Sequence, residues 1–209
     1  MKELIIVGGG GFGREVLQWV KDSNRKNRRW VIKGFLSESL FDLDGYACDY
    51  NILSSVSNWT PKANQEFLIA IGSPSLKEKV VKEMLGKGAV FSTLIHPTAQ
   101  VSEFVDIGEG TIICPNAEVS PNVEIGKYCT ILNAGIGHDA VIGDYSTISG
   151  GCLINGNVTI GRRVMAGSGV LVVPGKVIGD DAKLGIGSVI IRNVDAGASV
   201  FGNPAKKIS

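Results

Sequence analysis

The chain has 209 residues, 44% of them hydrophobic, with 28 glycines, 7 prolines and no Gly-X-Y period, which excludes a collagen-like chain and a disordered one. Its 21 basic and 20 acidic residues leave a formal charge of +1, so no basic excess points to nucleic acid and no polybasic tail to a membrane surface. Apolar runs such as residues 4–7 and 170–173 are too short to cross a bilayer, and MKELIIVGGG lacks a signal-peptide pattern, so a cytoplasmic location is expected.

Residues 4–7 read as a strand, followed by the glycine cluster Gly8-Gly9-Gly10-Gly11-Phe12-Gly13 and a helix over 14–22 with Val16, Leu17, Trp19 and Val20 on its apolar side. A second strand is predicted at 30–36 and a third at 67–71, closed by Gly72-Ser73-Pro74. A second helix over 76–85 should bury Leu76, Val80, Val81, Met84 and Leu85, and 90–94 reads as a last strand. This alternation argues for an α/β, Rossmann-like βαβ domain over residues 1–92. The glycine cluster fits GxGxxG between strand and helix. Glycines let a loop pass close to phosphate, and a helix N-terminus offers free N–H groups, so Gly8, Gly10, Gly11, Phe12 and Gly13 are candidate diphosphate-binding residues. Arg14 in the first helical turn opposes the helix dipole, a cost that a bound diphosphate would reverse. One mononucleotide-sized half suits a nucleotide-sugar diphosphate better than a dinucleotide. Gly72 and Ser73 lie at another strand end on the same side.

From Ile95 onward a period of six replaces the helical one. Val101, Ile107, Ile113, Val119, Ile125 and Ile131 follow, then, after one five-residue step, Ile136, Ile142, Ile148, Ile154, Ile160, Ala166, Val172, Ile178, Leu184, Ile190 and Ala196. A small or β-branched residue sits four positions after most of them, Gly135 and Ala140 among these. The pattern predicts short strands with one aliphatic side chain each on the axis, three strands to a coil and roughly six coils: a left-handed parallel β-helix of hexapeptide repeats over residues 93–209. The four cysteines form no CxxC pair, which removes zinc-knuckle and thioredoxin readings. Of the two histidines, His96 is expected to be structural, at the entry to the prism. His138 stands two residues after an inward position and just past the break in register, so it should face outward at a corner. Asp139 beside it can fix the imidazole tautomer and stabilise the imidazolium.

The segments MKELIIVGGGGFGREV, LIAIGSPSLKEKV, IGHDAVIGDYSTIS and FGNPAKKI together resemble the bacterial sugar acetyltransferases of the hexapeptide-repeat superfamily, the group of sialic acid O-acetyltransferases and UDP-4-amino-sugar N-acetyltransferases, over residues 1–208. The resemblance implies acetyl-CoA as donor, no metal, a homotrimer with sites between subunits, and transfer to the amino group of a nucleotide-linked, UDP-linked, 4-amino sugar for surface-glycan assembly. O-acetylation of a sugar hydroxyl is the alternative, and a non-catalytic nucleotide-sugar scaffold is a third reading. A γ-type carbonic anhydrase shares the prism but needs three histidine ligands, and this chain has two histidines. By the same resemblance His138 is the catalytic base, with Asp139 as its acidic neighbour. Gly156, before Asn157, supplies an oxyanion amide, and Asn133 touches the sugar. Ala166, Gly167, Ser168, Gly185 and Ile186, with Gly156, line the acetyl-CoA groove. Relatives that bind UDP-sugars often carry an acidic pair where this chain has Ser37-Glu38, and some carry a second histidine where it has Thr147.

Overall fold

A computed structural model describes residues 1–209. Strand β1 (Lys2–Val7) is followed by helix α1 (Gly11–Lys26), strands β2 (Trp30–Leu36), β3 (Ile52–Ser54) and β4 (Gln65–Ile69), and helix α2 (Pro74–Gly86). The strands form one parallel sheet in the order β3-β2-β1-β4. Leu4, Ile5, Ile6 and Val7 are all buried, as a central strand covered on both faces requires. Helix α1 buries Val16, Leu17 and Val20 in the same cluster as Phe35 and Leu68. Three details differ from the sequence reading. The three-residue β3 has too few residues for a periodic signal and was not expected. Residues 90–94 make only a single bridge to the sheet, Phe91 to Phe67. Helix α2 buries Pro74, Lys77, Val81 and Met84, whereas Leu76 and Leu85 are 48% and 41% exposed, because this helix docks on a second body rather than only on its own sheet.

That second body is a parallel β-solenoid of two-residue strands starting at Leu94–Ile95. Its three faces are parallel ladders, one of five strands, one of six, and one of eight that includes a terminal antiparallel hairpin strand, Lys206–Lys207. The hexad residues from Ile113 to Ile190 stack in one apolar core. At the first coil Ile95 is 42% exposed, since no coil lies beneath it. At the far end the register slips a second time: Val194, not Ala196, is the inward residue, bridging Ile178, and Ala196 is exposed. After the five-residue step Ala134 rather than Gly135 fills the small inward position. The four-residue corners have a repeating design. The first residue is often glycine; at Gly137 a Cβ would lie 2.5 Å from the Gly156 nitrogen, so at that corner only glycine lets the next coil stack. The third residue is left-handed, with φ +58° at Asp139 and +59° at Asn157, a conformation Asp and Asn tolerate.

The two bodies share apolar clusters. Ile5, Phe67, Met84 and Phe91 pack with Tyr128 and Tyr145 of the solenoid, and Leu94 and Ile112 join the cluster under α1. His96 is buried at this junction, with Nδ1 bonded to the Thr98 backbone N–H and Nε2 3.6 Å from the Asp22 carboxylate of α1, in keeping with a structural role. No helix is long and apolar enough to cross a membrane.

Candidate active site

The solenoid corner at residues 137–140 presents His138 as its second residue and Asp139 as its third. His138 is exposed, and its Nδ1 lies 2.7 Å from Asp139 Oδ2. The left-handed backbone of Asp139 is what turns the carboxylate back toward the preceding ring. Asn122, in the corner of the coil before, donates to Asp139 Oδ1 at 3.1 Å. The bond from His138, and after it the one from Asn122, hold the Asp139 carboxyl below the usual carboxylate range. An ionised carboxylate only accepts, so Nδ1 carries a proton, and in the neutral imidazole Nε2 is the nitrogen with the lone pair. The Nε2 edge lies over the corner of the next coil, where a Cβ on Gly156 would fall 2.6 Å from both Nε2 and Cε1. The amides flanking Gly156 donate to the carbonyls of Val172 and His138, while the Gly156 N–H has no backbone acceptor. An imidazole lone pair and a free amide therefore sit side by side on one edge of the prism.

The remaining solenoid candidates occupy a different edge. Asn133, with φ +30° and its N–H directed at Cys114 Sγ, lies in the corner between the strands at 130–131 and 135–136. Ala166 ends the equivalent strand two coils on, with its side chain buried in the prism core and not in a groove; Gly167 and Ser168 follow it, and Gly185 and Ile186 follow the equivalent strand three coils on. Between this edge and that of His138 runs the face whose outward residues are Gly135, Leu153, Leu171 and Val189. Leu153 is 52% exposed and Leu171 37%. A shallow cavity of about 170 Å³ at Gly135, Gly137, Leu153 and Asn155 marks its His138 side. One chain thus does not bring the candidate base and the candidate acetyl-CoA stretch to a common edge.

In the front unit a cavity of about 400 Å³ opens at the C-terminal edge of the sheet, lined by Gly8 to Gly10, Ser37, Glu38, Ser39, Asp42, Ile71, Leu76 and Val80, among others. Of the candidates, Gly8, Gly10, Ser37 and Glu38 line it, while Gly11 is exposed at the start of α1. Gly13 is buried against the loop, where a Cβ would lie 2.0 Å from the Gly8 carbonyl oxygen, and Phe12 packs edge-on against Trp19. Ser73 is the N-cap of α2 but caps nothing with its hydroxyl. The Gly72 carbonyl accepts from Thr147, which places Thr147 in the junction between the two bodies. Asp42 was not among the sequence candidates. It lies in the stretch after β2 without a periodic or motif signal, and only the fold returns it to the glycine loop. No cluster of three or more His, Cys, Asp or Glu side chains could hold a metal ion.

Residues 3–84 match the family described as the PglD N-terminal domain. The chain is 34% identical to a GDP-perosamine N-acetyltransferase of Escherichia coli O157:H7 over 71% of its own length and 70% of the relative. It is 31% identical to a UDP-N-acetylbacillosamine N-acetyltransferase of Bacillus subtilis over 54% of its own length and 51% of the relative. Its fold superposes on the acetyltransferase domain of PglB from Neisseria gonorrhoeae with a TM-score of 0.90, covering all of both chains at 24% identity. It superposes on PerB from Caulobacter crescentus, solved with CoA and GDP-perosamine, with a TM-score of 0.89 at 23% identity, covering 100% of this chain and 98% of that one.

Proposed function

We propose a reaction for this chain from one premise: it belongs to the hexapeptide-repeat sugar acetyltransferases. It moves acetyl from acetyl-CoA to the amino group of a nucleotide-linked 4-amino sugar. The observation that carries this reading is the His138 imidazole, tied to Asp139 through Nδ1 and presenting a bare Nε2 beside the unpaired Gly156 amide. The neutral amine attacks the thioester carbon, forming the C–N bond. Nε2 takes the amine proton as that bond forms. The Gly156 N–H donates to the oxyanion. The tetrahedral centre then collapses with loss of the C–S bond, and the imidazolium returns the proton to the departing CoA sulfur. The diphosphate lies over the glycine loop at the N-terminus of α1, where neither an acidic residue nor a side-chain cap competes for the free N–H groups.

Acetyl-CoA lies along Ala166–Ser168 and Gly185–Ile186. A second copy of the chain brings that edge to His138, and a homotrimer closes three such sites. The half-exposed leucines on the intervening face support a partner there. Equilibrium sedimentation should give three chains, and a monomer that remains fully active would overturn this arrangement.

The nucleotide in the sequence reading is UDP, while the 34%-identical relative is named for a GDP-sugar, so the decisive assay uses both. Acetyl-CoA is incubated with GDP- and UDP-linked 4-amino sugars and with the matching hydroxy sugars, and thiol release is followed. Release with an amino sugar alone is the expected result. Release with hydroxy sugars alone would make the enzyme an O-acetyltransferase, and ligand binding without any release would make it a scaffold. Gly156→Ala offers a second check. The added methyl meets the exposed His138 ring and no core atom, so the fold should survive with an unchanged melting temperature. The displaced ring should lower kcat by about a hundredfold.

A further inference from the structure

The only ionisable side chains lining the front cavity are Glu38 and Asp42, and no cation lines it. At their end of the cavity these carboxylates favour groups that donate hydrogen bonds. Glu38 is partly used, since Oε1 accepts the backbone N–H of Val56 at 3.2 Å. Asp42 Oδ2 accepts a short hydrogen bond from the Ser37 hydroxyl. Ser37 directly follows β2, at the place where βαβ nucleotide folds carry the acidic residue that takes a ribose hydroxyl. Here that place is neutral, and the carboxylate comes from five residues further along the chain.

The stretch carrying Asp42 is held against the glycine loop. A Cβ on Gly9 would lie 3.2 Å from the Cβ atoms of both Ser37 and Asp42. Arg14 of α1 stacks on Tyr46 with its guanidinium carbon 3.6 Å from the ring centre, and it donates to the Asp42 carbonyl at 3.5 Å. The cation that opposes the α1 dipole is therefore also a clamp on this stretch. The Ser37 hydroxyl, having given its proton to Asp42, has only lone pairs left, and the free oxygen Oδ1 of Asp42 likewise only accepts. Two acceptors side by side, next to a phosphate-binding loop, match two vicinal hydroxyl donors.

We propose that Ser37 and Asp42 together read the ribose 2′,3′-diol, so that the chain selects ribonucleotide-linked over 2′-deoxyribonucleotide-linked sugars. This rests on the reading of the cavity as the nucleotide-sugar site. A 2′-deoxyribose leaves one of the two acceptors without a partner beneath the bound sugar, and a polar group desolvated by a ligand and left unmet costs enough for roughly a tenfold to hundredfold loss of affinity.

The test is calorimetric titration of the full chain with GDP, 2′-deoxy-GDP, UDP and 2′-deoxy-UDP, using the native protein, Asp42→Ala and Ser37→Ala. Acetyl-CoA affinity and the melting temperature serve as controls for the fold. The native protein should bind the ribo form of at least one pair about tenfold or more tightly than its deoxy partner. In both variants that ratio should fall toward one, mainly through loss of ribonucleotide affinity. Equal binding of ribo and deoxy forms by the native protein, or a ratio unchanged in both variants, would overturn the diol assignment and leave the nucleotide-sugar reading standing. Failure of all four nucleotides to bind the native protein would overturn both.

Discussion

Replacing His138 with alanine is expected to lower kcat by about a hundredfold to ten-thousandfold, the range of a lost general base, with acetyl-CoA affinity nearly unchanged. The side chain is exposed, bonds only to Asp139 and fills no core position, so its removal should leave the fold intact. Steady-state rates with a fixed amino sugar, alongside acetyl-CoA titration, separate the two effects. Asp139→Asn refines the test. The amide keeps the size of the carboxylate but can donate to Nδ1, which favours the tautomer with its proton on Nε2 and blocks proton uptake. A variant lacking His138 that retained native turnover would remove the imidazole from the reaction. A fall in acetyl-CoA affinity with no change in kcat would make His138 a binding residue instead.

The second large effect concerns stability. Lys77 is fully buried between α2 and the solenoid, with Nζ donating to Thr130 Oγ1 at 2.9 Å, Thr147 Oγ1 at 3.0 Å and the Ser146 carbonyl at 3.4 Å. Its three protons are met by neutral oxygens, and no carboxylate bonds to the ammonium. Burial pushes the lysine down to about 8. Between that value and the ordinary lysine range, above 10, the unfolded chain holds a proton that the folded chain has released. Stability contributed by this site therefore rises with pH through that window, and the desolvation cost is present in full below it. Burial also raises the pKa values of Cys129 and Tyr128, which act in the opposite direction. The clean measurement is thus the difference between the native chain and Lys77→Met in urea unfolding at a series of pH values. The native chain should gain about 3 kcal/mol on the variant from pH 8 to above pH 10. A flat difference would mean that the ammonium is solvated.

Much of the architecture was readable before any coordinates. The six-residue period has one structural meaning, since only a triangular coil places every sixth side chain on an axis. The outward position of His138 followed from counting two residues past Ile136. The errors fell where local pattern is weakest. Ala196 kept the period in sequence but lost it in space, because alanine carries little burial energy to hold a register that Val194 can take instead. The apolar stripe assigned to α2 included Leu76 and Leu85, and the helix instead buries a lysine, which no hydrophobic pattern can announce.

The sequence by itself determined the two kinds of body, the strand-to-helix glycine loop and the imidazole-carboxylate pair, because each depends on residues adjacent in the chain or spaced by a fixed local period. Only the tertiary structure decided which groups meet across long separations: Gly156 beneath the His138 ring, Asp42 against Ser37 and the glycine loop, Lys77 beneath two threonines of the prism. It also showed that the His138 edge and the Ala166–Ser168 edge of one chain flank a face rather than meet. These contacts depend on how coils stack and how one body packs on another, and the energies that select them come from burial summed over many residues, which no short stretch of sequence contains.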